Sequence, residues 1–186
     1  MNKLFTPHNL ADIQLKNRVV MAPMTRTRTL NDVADELVAL YYSQRASAGL
    51  IITEGLPVSE EGRGYLYTPG LYNEAQMHGW RKVTDAVHAK GGRIFAQLWH
   101  VGRMSHVSVL PENQAPVSSG TIPATNTTVF AYSDSGEPSA VTPSIPRALE
   151  TEEVKRVTKD FVKSARLAIE AGFDGVEIMA ANGFIF

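Results

Sequence analysis

The chain has 186 residues, of which 44% are hydrophobic and 20% charged, and its formal net charge is −1. This composition excludes a disordered chain, and the near-neutral charge argues against nucleic-acid binding, which needs a basic surface. No apolar run approaches the ~18 residues of a membrane span. Because the chain has no cysteine and no signal-peptide pattern at its N-terminus, we expect a cytoplasmic protein without disulfides.

The first third of the chain alternates short apolar runs with helical patterns. Leu10 to Leu15 alternates apolar and polar residues and predicts an N-terminal hairpin. Arg18 to Ala22 predicts a buried strand that Pro23 stops. A helix over Asp35 to Ala46 and a second strand over Leu50 to Thr53 follow. The residues at helical spacing in that helix are Leu37, Leu40, Tyr41 and Gln44.

The rest of the chain continues the same alternation. Asn73, with Gln76 three residues later, predicts an N-cap and a capping box for a helix that ends before Gly91-Gly92. Arg93 to Leu98 is the third predicted strand. A long helix starts at Thr151 and ends at Gly172, and Gly175 to Ile178 is the fourth strand. Its apolar stripe is Val154, Val157, Phe161, Ala165, Ala168 and Ile169.

A long irregular segment, residues 102–147, separates the third strand from the last helix. It is rich in proline, serine and threonine, so a linker is the plain interpretation. Loops of this length inside a compact domain are more often binding loops or lids. We therefore predict a loop on the same side as the active site.

The alternation of strands and helices predicts an α/β fold with a parallel sheet. Four βα units correspond to half of a (β/α)8 barrel, where functional residues follow the carboxyl ends of strands. A doubly wound open sheet is the alternative, but no G-x-G-x-x-G turn occurs here. The candidate functional residues are therefore those at the strand ends, namely residues 23–25, 54–55, 97–100 and 179–184.

Residues at these strand ends resemble the Old Yellow Enzyme family of flavin-dependent ene-reductases, in the branch of the N-ethylmaleimide and 12-oxophytodienoate reductases. The similarity runs along essentially the whole chain with matching spacing. Its motifs are Met21-Ala22-Pro23-Met24-Thr25-Arg26, Tyr41 to Ala46, Thr53-Glu54-Gly55, Gly64-Tyr65, Pro69-Gly70, Gln97 to Arg103, Pro146 to Leu149 and Ala171 to Ile178.

The resemblance implies that residues 1–186 form a single, incomplete FMN-binding TIM-barrel domain. It implies an oxidoreductase that uses NADPH or NADH to reduce activated alkenes: enones, enals, maleimides and nitro compounds. By the same resemblance, Pro23, Met24, Thr25, Gly55 and Gln97 would contact FMN, and Tyr65 and Trp99 would shape the pocket of a small-molecule substrate. A hydroxyl and an amide suit the pyrimidine edge of a flavin, since they add hydrogen bonds without net charge.

Two other interpretations of these residues have little support. His100 and His106 are six apart without a third ligand, so we expect no metal. Glu54 and Glu177 could be imagined as an acid–base pair, as in a glycosidase. Both belong to the family motifs, and nothing else in the sequence supports that chemistry.

The fourth strand end departs from the family pattern, which usually reads H-G-A-N-G-Y or H-x-A-H-G-Y. The resemblance implies that the histidine and the later Asn or His bind the substrate carbonyl, and that the tyrosine donates a proton. Here Asn182 remains as a catalytic donor, whereas Met179 and Phe184 replace the other two groups. These replacements would impair turnover.

The resemblance covers only the first four βα units, so strands five to eight of a barrel are not in this sequence. A half-barrel leaves open strand edges and an apolar face, which favour association. Self-pairing, a partner chain that supplies the other half, and truncation of a longer gene all fit. A non-catalytic barrel fragment that acts through association is therefore the alternative function, and a flavin binder without turnover is a weaker third.

Overall fold

A computed structural model describes residues 3–186 of the chain. A single turn of 3₁₀ helix, Lys3–Phe5, leads into an antiparallel hairpin of β1 (His8–Leu10) and β2 (Ile13–Leu15), in which His8 lies opposite Leu15. The predicted N-terminal hairpin is confirmed. The next elements are β3 (Val20–Met21), α1 (Glu36–Ser43), β4 (Leu50–Pro57), α2 (Glu74–His88), β5 (Ile94–Trp99), β6 (Val117–Ser118), β7 (Val129–Tyr132), β8 (Pro138–Val141), β9 (Arg147–Ala148), α3 (Thr151–Glu170) and β10 (Gly175–Ile178).

The core of the molecule is a four-stranded parallel sheet in the order β10, β5, β4, β3. Each strand lies beside the strand of the preceding βα unit, and the three helices α1, α2 and α3 connect them. This winding is the one predicted for the first four units of a barrel, and it excludes the doubly wound alternative, in which the strand order reverses.

The two faces of the sheet are chemically different. Ile94, Ala96 and Leu98 of β5 point towards the helices and join the hydrophobic core, which includes Trp80 and Phe161. Because side chains alternate along a strand, Phe95, Gln97 and Trp99 point to the opposite face. That second face carries the predicted flavin-contacting residues.

Several element boundaries differ from the sequence predictions. The first strand is two residues long rather than five, and it is not buried as predicted, since Val19 and Val20 are 37% and 47% exposed. Arg18 N donates to Leu4 O, and Val19 O accepts from Gly49 N at 2.9 Å. β4 continues through Thr53 to Pro57, so Glu54 and Gly55 lie inside the strand, next to a register shift between Ile52 and Gly55.

The caps of α1 and α2 follow the sequence closely. Asp35 is the N-cap of α1 rather than its first residue, and its Oδ1 accepts from the backbone of Leu37 and Val38 at 3.0 Å. Asn73 caps α2 as predicted. Gln76 does not complete a capping box, since its Oε1 accepts from Tyr72 N, one residue before the cap.

The buried face of α1 is not the one that the spacing of its apolar residues suggested. Leu37 and Leu40 are exposed, whereas Val38, Ala39 and Tyr42 are buried. Tyr42 decides the rotation of the helix, because its ring packs against Trp80 at 5.9 Å and its hydroxyl reaches the backbone of β4.

The apolar stripe of α3 is buried only along its middle. Val157, Phe161 and Ala168 are buried, but Val154 and Ile169 are 51% and 62% exposed. Together with β10, the exposed side of α3 borders an apolar groove of about 550 Å³. We call this groove, lined by Val154, Val162, Ile178 and Phe186 among others, the α3–β10 groove.

The segment 102–147 contains more regular structure than the sequence suggested. It holds two turns of 3₁₀ helix, the antiparallel hairpin of β7 and β8, and β6, which pairs in parallel with β9. The segment packs on residues that follow β4: Leu66 N donates to Phe130 O at 2.9 Å, and the rings of Tyr67 and Phe130 are 6.3 Å apart.

Candidate active site

The register of the sheet arranges the candidate residues in rows on the face that points away from the helices. Gly55, Gln97 and Glu177 lie opposite one another on β4, β5 and β10, and Trp99 lies opposite Pro57 in the row above. Such layers of inward side chains are typical of barrel interiors. The chain thereby brings strand ends together that are separated by about 80 residues of sequence.

Gln97 occupies the centre of the middle row and is held on two sides. Its backbone N–H donates to Thr53 Oγ1 at 3.0 Å, and its side-chain Nε2 donates to Glu177 Oε1 at 2.7 Å. The residue is buried, with 4% of its surface exposed. Within residues 3–186, no hydrogen bond uses the side-chain oxygen of Gln97.

The loop that follows β3 is fixed to the end of β4 by Glu54. The backbone N–H of Arg26 donates to Glu54 Oε2 at 3.0 Å. Glu54 is almost fully buried and also contacts the Tyr42 hydroxyl, which accepts from Glu54 N at 2.8 Å. Thr25 precedes Arg26, so this bond places the predicted flavin-contacting loop beside Gly55.

Burial raises the pKa of the Glu54 carboxyl from 4.5 to about 7. The Arg26 backbone N–H, the Arg26 charge and the Tyr42 hydroxyl favour the ionised form, but they do not offset the desolvation. Glu54 therefore titrates near neutral pH while it fastens the loop.

An aromatic cluster forms above the middle row. The ring of Trp99 lies 5.8 Å from that of Tyr65 and 5.6 Å from that of Phe184, and Met179 packs against the same group. The structure thus brings the two predicted pocket residues together with both side chains that depart from the family pattern. Trp99 Nε1 is buried without a hydrogen-bond partner within residues 3–186.

Gly55 is required by the position of Trp99. A Cβ added at Gly55 would overlap the six-membered ring of the indole. The missing side chain therefore lets Trp99 lie flat against β4.

The remaining predicted site residues lie on the rim and are more open. Met24, Thr25 and Asn182 are exposed, and Pro23 is half-buried. Asn182 has a φ of 60°, in the left-handed region that asparagine tolerates better than most residues. Phe184 N closes the turn by donating to Ala181 O at 3.2 Å, and Ile185 N attaches it to the segment after β5 by donating to His100 O at 3.1 Å.

A network of charged residues around Glu61 was not predicted from the sequence. Glu61 lies 2.7 Å from Arg156 and 3.5 Å from Arg147, and 3.8 Å from the buried Nε2 of His100. His100 Nδ1 accepts from Gly102 N at 3.1 Å, so the ring turns its second nitrogen towards Glu61. The network ties α3 to the segments after β4 and β5. In the sequence, only the family motifs around His100 and Arg147 pointed to these residues.

The donor set of this face fits a flavin. The amide oxygen of Gln97 and the exposed side chain of Thr25 are uncharged groups, and Tyr65, Trp99 and Phe184 form an aromatic cluster beside Gln97. Such groups match a flat ring with alternating hydrogen-bond donors and acceptors. Among the described residues, no group of three or more His, Asp or Glu side chains could hold a metal ion, and no helix is long and apolar enough to cross a membrane.

Comparison with known proteins agrees with the half-barrel geometry. Residues 3–186 match the family described as NADH:flavin oxidoreductase / NADH oxidase. Rice (Oryza sativa subsp. japonica) 12-oxophytodienoate reductase 1 is 44% identical over 183 residues, which are 98% of this chain and 46% of the relative. The chain therefore spans about half the length of the curated relatives it matches.

Solved structures show the same relationship. A morphinone reductase in complex with tetrahydroNAD superposes with a TM-score of 0.96 at 48% identity, over 100% of this chain and 51% of that one. The Old Yellow Enzyme homologue of Zymomonas mobilis gives 0.91 at 43% identity, over 98% and 50%. The fold is thus a partial (β/α)8 barrel. The chain belongs to the NADH:flavin oxidoreductase / NADH oxidase family, and the predicted Old Yellow Enzyme relationship is confirmed.

Replacement of Gly55 by alanine tests the contact with Trp99. We expect Gly55→Ala to lower the free energy of unfolding by about 1–3 kcal/mol, as overpacking does, and to change the near-ultraviolet circular dichroism. The matched control is Gly120→Ala, where an added Cβ meets nothing within 4 Å. Equal urea midpoints for the two variants would contradict the proposed packing.

Replacement of Glu54 by glutamine tests its raised pKa. Since the folded state holds this proton up to about pH 7 and the unfolded state only to about 4.5, stability falls as pH rises between these values. Across that window the free energy of unfolding of the wild type should fall by about 3 kcal/mol more than that of Glu54→Gln. Urea unfolding at pH 4.5 and 8 measures this difference. The same pH dependence in both proteins would show that Glu54 titrates normally.

Proposed function

We propose that this chain supplies the flavin-binding half of an FMN-dependent NAD(P)H oxidoreductase that reduces activated alkenes, namely enones, enals, maleimides and nitro compounds. Either NADPH or NADH would be the reductant. When bound, FMN supplies two-electron oxidation–reduction chemistry. Pro23, Met24, Thr25, Gly55 and Gln97 would hold it, and Tyr65 and Trp99 would shape the pocket of its small-molecule substrate.

One observation carries this proposal: Gln97 is buried in the row between Gly55 and Glu177, yet keeps an unused acceptor beneath an aromatic wall. A buried glutamine with only a structural role would form hydrogen bonds within the protein through both its side-chain oxygen and its side-chain nitrogen. The arrangement supports a planar ligand that donates a hydrogen bond to the side-chain oxygen of Gln97. The tetrahydroNAD in the morphinone reductase structure supports a nicotinamide as the partner of that ligand.

The fourth strand end limits what this chain does to a bound substrate. Asn182 can donate to a substrate carbonyl, but Met179 offers no donor and Phe184 has no hydroxyl. Phe184 instead packs edge-on against Trp99, with ring centroids 5.6 Å apart. Loss of one such donor typically lowers turnover by about 10²–10³. We infer that binding is better preserved than catalysis.

Titration of the purified chain with FMN tests the proposal. We expect quenching of flavin fluorescence with saturable, stoichiometric binding. Gln97→Ala should weaken binding by about 2–10-fold, the effect of one hydrogen bond. Gln14→Ala, at an exposed position of β2, is the matched control and should bind as the wild type does. A wild-type chain that takes up no FMN would rule out this function.

The double variant Met179→His, Phe184→Tyr extends the same experiment to the substrate. With FMN bound, it should reduce 2-cyclohexenone with NADPH about 10²-fold faster than the wild type, because it regains a carbonyl donor and an acid. No gain, with FMN still bound, would place the defect outside the fourth strand end.

The α3–β10 groove favours a second candidate function, association of a barrel fragment. Val162, Ile178 and Phe186 are 49%, 54% and 65% exposed along this apolar surface, and β10 is an edge strand. We propose a second copy of the chain as the occupant, because two four-stranded halves together provide the eight strands of a barrel. A separate complementing half would use the same surface.

Sedimentation velocity tests this second function. The wild type should form a concentration-dependent dimer, and Val162→Glu should weaken it at least ~10-fold by placing a charge in an apolar interface. Leu37→Glu is the control, since Leu37 is exposed on α1 away from the groove. A monomer that binds no hydrophobic dye would exclude self-association.

Three further expectations stay predictions: a cytoplasmic location, a single incomplete domain over residues 1–186, and an active-site role for the loop 102–147. The contact between Leu66 and Phe130 supports the last, since it attaches the loop to the segment that carries Tyr65.

A further inference from the structure

We propose that Glu177 is a positioning residue that fixes the amide of Gln97, so that Gln97 presents its carbonyl oxygen to the N3–H group of the flavin. This inference rests on the proposed function for its ligand. It assigns a role to a carboxylate that the mechanism above does not use.

The contact itself is well defined. Gln97 and Glu177 lie directly opposite on the neighbouring parallel strands β5 and β10. Gln97 Nε2 and Glu177 Oε1 are 2.7 Å apart, which is short for an N–H···O bond and typical of a charged acceptor. Both side chains lie on the face of the sheet that points away from the helices.

The chemistry of the pair determines which way the amide points. An amide can rotate to exchange its oxygen and nitrogen, and either end could face a neutral partner. An ionised carboxylate only accepts hydrogen bonds, so the NH₂ group of Gln97 must face Glu177. The oxygen is then the free end, and no hydrogen bond within residues 3–186 occupies it.

A free acceptor at this position selects one part of the flavin. The pyrimidine edge carries two carbonyl oxygens on either side of one N–H group. An amide oxygen repels the two carbonyls and binds the N–H. Glu177 therefore sets the register of the ring on the sheet through Gln97, without touching the ring itself.

The orientation of the amide can be measured without any flavin. In the ¹⁵N-labelled chain, one side-chain N–H proton of Gln97 should resonate downfield of the other glutamine amides, and it should return to the ordinary range in Glu177→Leu. A Gln97 amide that does not respond to Glu177→Leu would overturn the inference, whether or not FMN binds.

Exchanging the two side chains tests the acceptor role. Gln97→Glu alone sets two carboxylates side by side and should weaken FMN binding at least 10-fold. The double variant Gln97→Glu, Glu177→Gln restores an amide donor to a carboxylate and keeps an oxygen towards N3–H. We expect its affinity for FMN to return to within about 3-fold of the wild type. If Gln97 acted as a donor to the flavin, no such rescue would occur.

A control and a stability check separate the outcomes. Gln14→Glu adds the same negative charge as Gln97→Glu at an exposed position of β2 and should leave FMN affinity unchanged. Thermal unfolding of each variant shows that it folds. Wild-type binding without rescue by the double variant overturns this inference alone. Absence of wild-type FMN binding overturns the proposed function and the flavin contact with it, whereas the labelled amide still reports the Gln97–Glu177 pair.

Discussion

The two-residue repeat of β5 is the constraint on which the rest of the structure depends. Ile94, Ala96 and Leu98 are buried under the helices, and this fixes the strand against slipping. A shift by one residue would bury Gln97 in the apolar core and expose Leu98. The strong preference of the core for one register therefore places Gln97 and Trp99 on the opposite face, where a ligand can reach them.

The same constraint does not extend to the fourth strand end. Met179 and Phe184 lie beyond the last paired residue of β10, on the rim. There both side chains pack in the cluster around Trp99, so apolar residues at these two positions are compatible with the fold. Changes at these positions alter the chemistry of the pocket at little cost in stability, whereas a change at Leu98 or Ala96 would disturb the core.

Strands, helix caps and the order of the sheet could be predicted from the sequence because they follow from local patterns. Asn73 caps α2 through its own neighbours, and the four apolar runs became four adjacent strands. The buried face of α1 could not be predicted, because Leu37 and Leu40 are as apolar as the residues that are buried. Tyr42 decides the rotation of the helix through Trp80 and β4, which are distant in sequence.

The candidate site, like the fold, was only partly predictable from the sequence. The family motifs located Gln97, Trp99 and Gly55, but not the charged partners that hold them. Glu54 and Glu177 look alike in the sequence, yet they lie on opposite faces of the sheet. Glu54 contacts Tyr42 of α1 and loses most of its water, so burial raises its pKa, whereas Glu177 pairs with an amide on the ligand side. One carboxylate fastens a loop and the other orients a side chain. The register between the strands decides which face of the sheet each glutamate lies on. That register is set by long-range packing, which the local sequence does not reveal.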